Sequence, residues 1–168
     1  LFYTLFQFLN YWFIYRFIKD TRRLKSAHKN LVSLRLIKAG LIFGILSTLM
    51  PYGIGILAAK GLGGTEIYQS FVYTFLHLQY NGWFLFVVLG LFYKFLENNS
   101  IPYNQKYATW FYRLFTFAVL PAISLSLIGM SFSSYIKIIA YVTAVTLGVA
   151  FLFFIKSLPR NLFTFCLL

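Results

Sequence analysis

Carboxylate is the scarcest chemistry in this chain: 168 residues carry three acids, Asp20, Glu66 and Glu97, against fifteen Lys and Arg and two His. All three fall at or beyond the ends of apolar runs. Proton-coupled transport through a membrane carboxylate is therefore disfavoured, and no Ser-His-acid set can be assembled inside a span. One cysteine, Cys166, excludes an intrachain disulfide and any multi-cysteine metal site, and reads as a small apolar filler. Charged residues of any kind make up 11% of the chain, hydrophobic ones 60%, and the mean hydropathy is +0.76. That is too little polar surface to cover a soluble globule, so lipid is the expected solvent.

What is present is a series of long apolar runs. A helical span needs roughly 20 apolar residues for a hydrocarbon core of about 30 Å. The runs fall at about 1–18, 36–59, 67–96, 110–130 and 135–155, with the start of another at Leu162. The expected fold is an all-α polytopic transmembrane helix bundle of at least five spans, one domain over 1–168, read as a fragment of a longer chain. The third run would be about 45 Å long as a helix, so it must tilt, protrude or break. Asn81-Gly82 is the expected break.

The basic residues explain themselves by topology. Arg16, Lys19, Arg22, Arg23, Lys25, Lys29, Arg35 and Lys38 surround the first gap, Lys94, Lys106 and Arg113 the third, and Lys156 and Arg160 come after the fifth run; Lys60 and Lys137 alone fall opposite. Short loops rich in Lys and Arg stay cytoplasmic, so a multi-pass protein of the bacterial inner (plasma) membrane is expected, its visible N-terminal end outside. The net charge of +12 then meets anionic lipid head groups, at about 1 kcal/mol per nearby basic residue. No nucleic-acid partner is expected, because the basic cluster lies between two spans and carries no recognition module.

The gap from Lys19 to Arg35 reads as an exposed linker with His28 as a surface histidine. Lys60 to Glu66 reads as a glycine-rich turn between helices, without the strand or the Lys-Ser/Thr ending of a phosphate loop. Asn98-Asn99-Ser100 matches a glycosylation acceptor but falls on the cytoplasmic side. Gly40, Gly44 and Thr48 repeat at four-residue spacing, the pattern that lets helix backbones approach in lipid. Pro51, with Gly53 and Gly55, is expected to kink or unwind the outer half of the second run, and Pro121 to do the same in the fourth. Tyr68, Tyr93, Trp110 and Tyr135 read as interfacial aromatics.

The third run holds the chemistry that can be read at all. Gln69, Tyr73, His77 and Asn81 recur every four residues and so form one line, with Ser70, Thr74 and Tyr80 on its flanks, expected to face the bundle interior. His77 lies near the bilayer centre, where an ionisable group is costly and marks function by default. It fits a neutral ring bonded across the bundle. It also fits an axial haem ligand, with Met50 at comparable depth as the second, or a proton relay or quinone contact. No metal site other than such a ligand is expected.

Tyr73 to Phe84 (Tyr-Thr-Phe-Leu-His-Leu-Gln-Tyr-Asn-Gly-Trp-Phe), then Leu91 to Glu97 (Leu-Phe-Tyr-Lys-Phe-Leu-Glu), resemble a segment of uncharacterised polytopic membrane proteins of Bacteroidetes-type bacteria. The preceding Leu46 to Gly64 is similar to the same family. About fifty residues carry the resemblance. It brings a faint likeness to the catalytic subunit of haem-copper oxidases, which implies haem ligation by inward histidines, here His77.

Three function classes remain. Scarcity of acid, Cys and His favours a structural or accessory subunit of a membrane assembly, its partners being lipid, other membrane subunits or further spans of the same chain. A haem-associated redox or gas-sensing module would use His77, and a small-molecule permease would use the broken runs and the polar line. Whether the chain is an enzyme stays open. In a Cys166→Ala background, an impermeant thiol reagent added to intact cells should label Thr65→Cys and leave Ser26→Cys unlabelled; the opposite pattern would reverse the orientation.

Overall fold

The computed structural model describes residues 2–22, 31–131 and 134–159, and every regular element among them is helical. The order is α1 (Phe2–Arg22), α2 (Val32–Ala59), α3 (Glu66–His77), a wider π-helical stretch (Leu78–Phe84), α4 (Leu85–Asn98), α5 (Gln105–Val119), α6 (Ile123–Ser126) and α7 (Ser134–Ser157). α3, the π stretch and α4 form one continuous helix of 33 residues.

Three helices are long and apolar enough to cross a membrane: α2, the continuous helix Glu66–Asn98, and α7. The expectation of at least five is therefore corrected to three among the described residues. α1 has the length, 21 residues, but Gln7, Asn10 and Arg16 interrupt it and Lys19 to Arg22 close it with charge. α5 has only 15 residues, about 22 Å, well short of the hydrocarbon core. It begins at Gln105 rather than near Trp110 because Asn104 Oδ1 accepts from the backbone N–H groups of Lys106 and Tyr107, at 3.1 and 3.2 Å, an N-cap. It ends before Pro121, whose ring and missing N–H disallow another turn. The run resumes as α6 on three-residue bonds, such as Ser124 N to Pro121 O at 3.0 Å.

α5 and α6 together still cover the height of the bundle. At one end Asn104 N donates to Ser157 O at 2.9 Å. At the other, Ser131 donates from N and Oγ to Glu66 Oε1, at 3.1 and 2.7 Å. The other edges also moved. α1 runs on to Arg22 and α2 begins at Val32, so the linker is shorter than expected; its residues Arg23 to Asn30, with His28, and the run at Leu162 lie outside the described residues. The Gly61–Thr65 turn is as expected, with positive φ at Gly61 (71°) and Gly64 (83°).

Pro51 does not unwind α2, which is helical from Val32 through Ala59. One missing N–H, which leaves Ser47 O without its helical donor, is tolerable in an apolar helix whose remaining bonds persist. At Asn81-Gly82 the expected break takes a milder form. The helix widens by one residue, with Leu85 N donating to Tyr80 O, and continues.

Glycines set the contact between α2 and the long helix. A Cβ on Gly40 would meet Phe86 Cβ at 3.0 Å and Trp83 O at 3.1 Å, and one on Gly44 would meet the Trp83 ring at 2.8 Å. The partner helix answers in kind: a Cβ on Gly82 would strike Phe43 Cβ at 2.8 Å, and one on Gly90 would crowd Ser33 O and Ile37 N at 3.0 and 3.1 Å. Thr48 turns the other way, to Tyr11 OH of α1 at 2.5 Å. Phe86 then sits fully buried between Phe43 (5.2 Å, edge-on) and Phe115 of α5 (4.6 Å, stacked). Gly44→Leu should lower stability by about 1 to 3 kcal/mol through overpacking, and Gly90→Leu by more, since its obstacles include backbone. Thermal unfolding in detergent checks both; an unchanged midpoint would place this face against lipid.

Candidate functional site

His77 ends α3, and α5 ends opposite it at Val119. The two endings are joined: His77 Nε2 lies 2.9 Å from Val119 O, and Nδ1 lies 3.2 Å from Asn81 Nδ2. A carbonyl can only accept and an amide nitrogen can only donate, so Nε2 carries the proton and Nδ1 accepts. Those two contacts correspond to one neutral tautomer of the ring. Val119 O needs such a donor because the break at Pro121 turns the N–H of Ile123 to Leu120 O (3.2 Å) instead. The widened turn after His77 sets Asn81 beside the ring.

The pair opens on a cavity of about 490 Å³ between α4, α5, α6 and α7. Leu85, Leu89, Phe111, Phe115, Leu147, Phe151 and Phe154 supply an apolar wall; His77, Asn81 and Ser126 supply its polar groups. Among the described residues no Lys, Arg, Asp or Glu lines it.

The expected polar line does not hold together. His77 is buried at 9% exposure, whereas Tyr73 and Tyr80 are 42% and 62% exposed, and Gln69 lies on the surface, its Nε2 closing the turn on Gly64 O at 3.4 Å. Gln69 and Tyr73 stand on the same regular α-helix as His77, so shared spacing alone did not bury them; the π stretch separates His77 from Tyr80 only. Met50 is half-buried on α2 and does not line the cavity. As a haem or metal ligand His77 does not fit as it stands, because the Nδ1 lone pair is engaged by Asn81 and the other nitrogen is protonated. Among the described residues no group of three or more His, Cys, Asp or Glu could hold a metal ion.

Several polar contacts have little signal in the sequence. Ser47 Oγ donates to Gln79 Oε1 at 2.8 Å, across the glycine contact. At the basic end Glu97 accepts from Ser33 Oγ (2.6 Å) and Tyr103 OH (2.9 Å), tying the start of α2 to the end of α4. Tyr93, expected at an interface, is fully buried and paired with Ser157 Oγ at 2.6 Å. The only hint was Glu97 itself, a lone acid at the basic end. Burial, and then the bonded Glu97 carboxylate, push the Tyr103 phenol above its usual range.

No protein family, curated protein or solved structure matches the chain.

His77→Gln should keep the fold, since an amide can donate to Val119 O. His77→Leu leaves that buried carbonyl unpaired and should cost about 1 to 3 kcal/mol; equal midpoints for Leu and wild type in detergent would refute the capping role. The raised phenol at Tyr103 contributes stability that is full below the ordinary tyrosine value of about 10 and is lost as pH rises above it. Tyr103→Phe should accordingly flatten part of the alkaline unfolding profile, which a pH series of thermal melts reads directly.

Proposed function

We propose that the chain is a multi-pass protein of the bacterial inner membrane that acts as a structural or accessory subunit of a larger membrane assembly. The observation that carries this is the use made of its buried histidine and of two acids at the helix ends, which join one segment to another. His77 donates to the end of α5, Glu97 ties α2 to α4 and the following loop, and Glu66 holds Ser131. A catalytic or relay group needs a free lone pair or a proton to move; these side chains are engaged in holding the bundle.

The outer surface supports the same reading. In the most apolar windows of α2, Glu66–Asn98 and α7, 28%, 28% and 17% of residues are buried, so most of that surface is left for lipid or neighbouring helices. In this reading α5 and α6 form a fourth, broken crossing, which is tolerable because its freed carbonyl is met by protein. α1 exposes Phe6, Phe8, Leu9, Trp12 and Phe13 at 58% to 67%, while the half-buried Asn10 lowers its solubility in lipid alone. Its outer face is where a neighbouring subunit would sit. The haem alternative rests on the setting of His77 and on the resemblance, and would require Asn81 to release Nδ1 of His77.

Two measurements on protein extracted from its native membrane test this. The sample should migrate in native gels as part of a multi-polypeptide complex, and photo-crosslinkers at Phe8 or Trp12 should join it to another polypeptide; a lone monomer with only lipid adducts would refute the reading. Its absorbance should lack a Soret band. A Soret band that disappears in His77→Leu would put the haem reading in its place.

A further inference from the structure

The cavity beside His77 goes beyond scaffolding, since nothing in the packing of the helices requires it. We propose that it is a binding site for a quinone-class molecule: a flat, uncharged ring bearing carbonyl or hydroxyl groups on an apolar tail.

Four features select that chemistry. Access is lateral: α4 and α7 meet at the basic end through Phe92 and Phe154 (6.0 Å) and through Tyr93 and Ser157, and above that contact the cavity lies between them. Its rim residues Asn81, Ser126 and Phe151 are exposed, so the mouth faces the hydrocarbon of a surrounding bilayer. The wall suits a flat ring, because Phe111 stacks on Phe115 at 5.3 Å and tilts against Phe154 at 5.1 Å, leaving aromatic surface on which a conjugated ring can stack or meet edge-on. The charge balance selects a neutral head group: among the described residues no charged side chain lines the cavity, so a carboxylate or phosphate would lose its hydration uncompensated.

Asn81 completes the site. One of its amide hydrogens goes to His77 Nδ1, which holds the side chain in place through a ring itself anchored on Val119 O. The second amide hydrogen and the carbonyl oxygen have no partner among the described residues. That leaves a donor for a quinone carbonyl and an acceptor for a quinol hydroxyl, so either oxidation state can be held without moving the protein. The volume of about 490 Å³ lies within the usual range of roughly 300 to 1,000 Å³ for small-molecule sites; it takes the ring and the start of a tail, the rest extending into lipid.

Calorimetric titration of the detergent-purified full chain with decylubiquinone tests the proposal, which does not depend on the accessory-subunit reading. Saturable one-to-one binding is expected, with decylbenzene, the same tail on a ring without oxygens, bound at least about tenfold more weakly. Asn81→Leu should weaken decylubiquinone by about tenfold, the worth of one hydrogen bond, with the melting point little changed. Leu147→Trp should block the mouth, and Leu147→Phe narrows it if the larger ring impairs folding. Absence of saturable binding to wild type, equal binding of decylbenzene, or wild-type affinity in both the Asn81 and Leu147 variants would each overturn it.

Discussion

Inside a medium without water, a backbone carbonyl released by a broken helix has to find a donor within the protein, and the architecture around His77 is built on that constraint. Pro121 ends α5 and leaves Val119 O without its own helix's N–H. The donor comes from the long helix facing it, through the His77 ring at 2.9 Å. One bond thus satisfies the break, fixes the tautomer of the ring, and sets the height at which α3 and α5 meet. It also presents the other ring nitrogen to Asn81, and through Asn81 the polar end of the cavity is held.

That bond depends in turn on how the long helix is seated on α2. Gly40 and Gly44 admit Trp83 and Phe86, and Gly82 and Gly90 admit Phe43 and the backbone at Ser33 and Ile37. Close approach of two helices through paired small residues leaves little freedom of rotation. The widened turn between His77 and Leu85 reconciles two demands on one helix: its glycine face stays on α2, and His77 with Asn81 stays toward α5. A π turn inserts one extra residue and rotates the helix beyond it.

The same economy of polar groups shapes both ends. Glu97 gathers Ser33 and Tyr103 at the basic end, and Glu66 gathers Ser131 at the other. With three acids in the chain, two are used to pin loops to helix ends. The interior is left with aromatic packing, in which Tyr93, Phe86 and Phe111 form a continuous cluster from the basic end to the cavity wall. Rigid aromatic walls on one side and a neutral hydrogen-bonding pair on the other are what make the cavity selective for uncharged, flat molecules.

The sequence by itself determined the features set by composition and by single residues. Long apolar runs without acids satisfy their backbones as helices, the glycines of α2 mark a close contact, Pro121 and Asn81-Gly82 mark where helices depart from regularity, and a lone His77 within an apolar run marks a buried polar contact. Each of these comes from local chemistry. Tertiary structure decided the remainder. Gln69, Tyr73 and Tyr80 share a helical spacing with His77, yet only Asn81 joins it, because which turns of the long helix are covered is set by where its neighbours pack and not by the spacing. Tyr93 has the sequence setting of an interfacial aromatic and is buried because Ser157, 64 residues away, pairs with its hydroxyl. The number of long apolar helices among the described residues fell to three because polar and charged residues interrupt α1 and because Asn104 and Pro121, not the start of the apolar residues, place the ends of α5. The cavity itself belongs to no segment, since it is the space left where α4 and α7 part, and such a space exists only once several helices have been packed together.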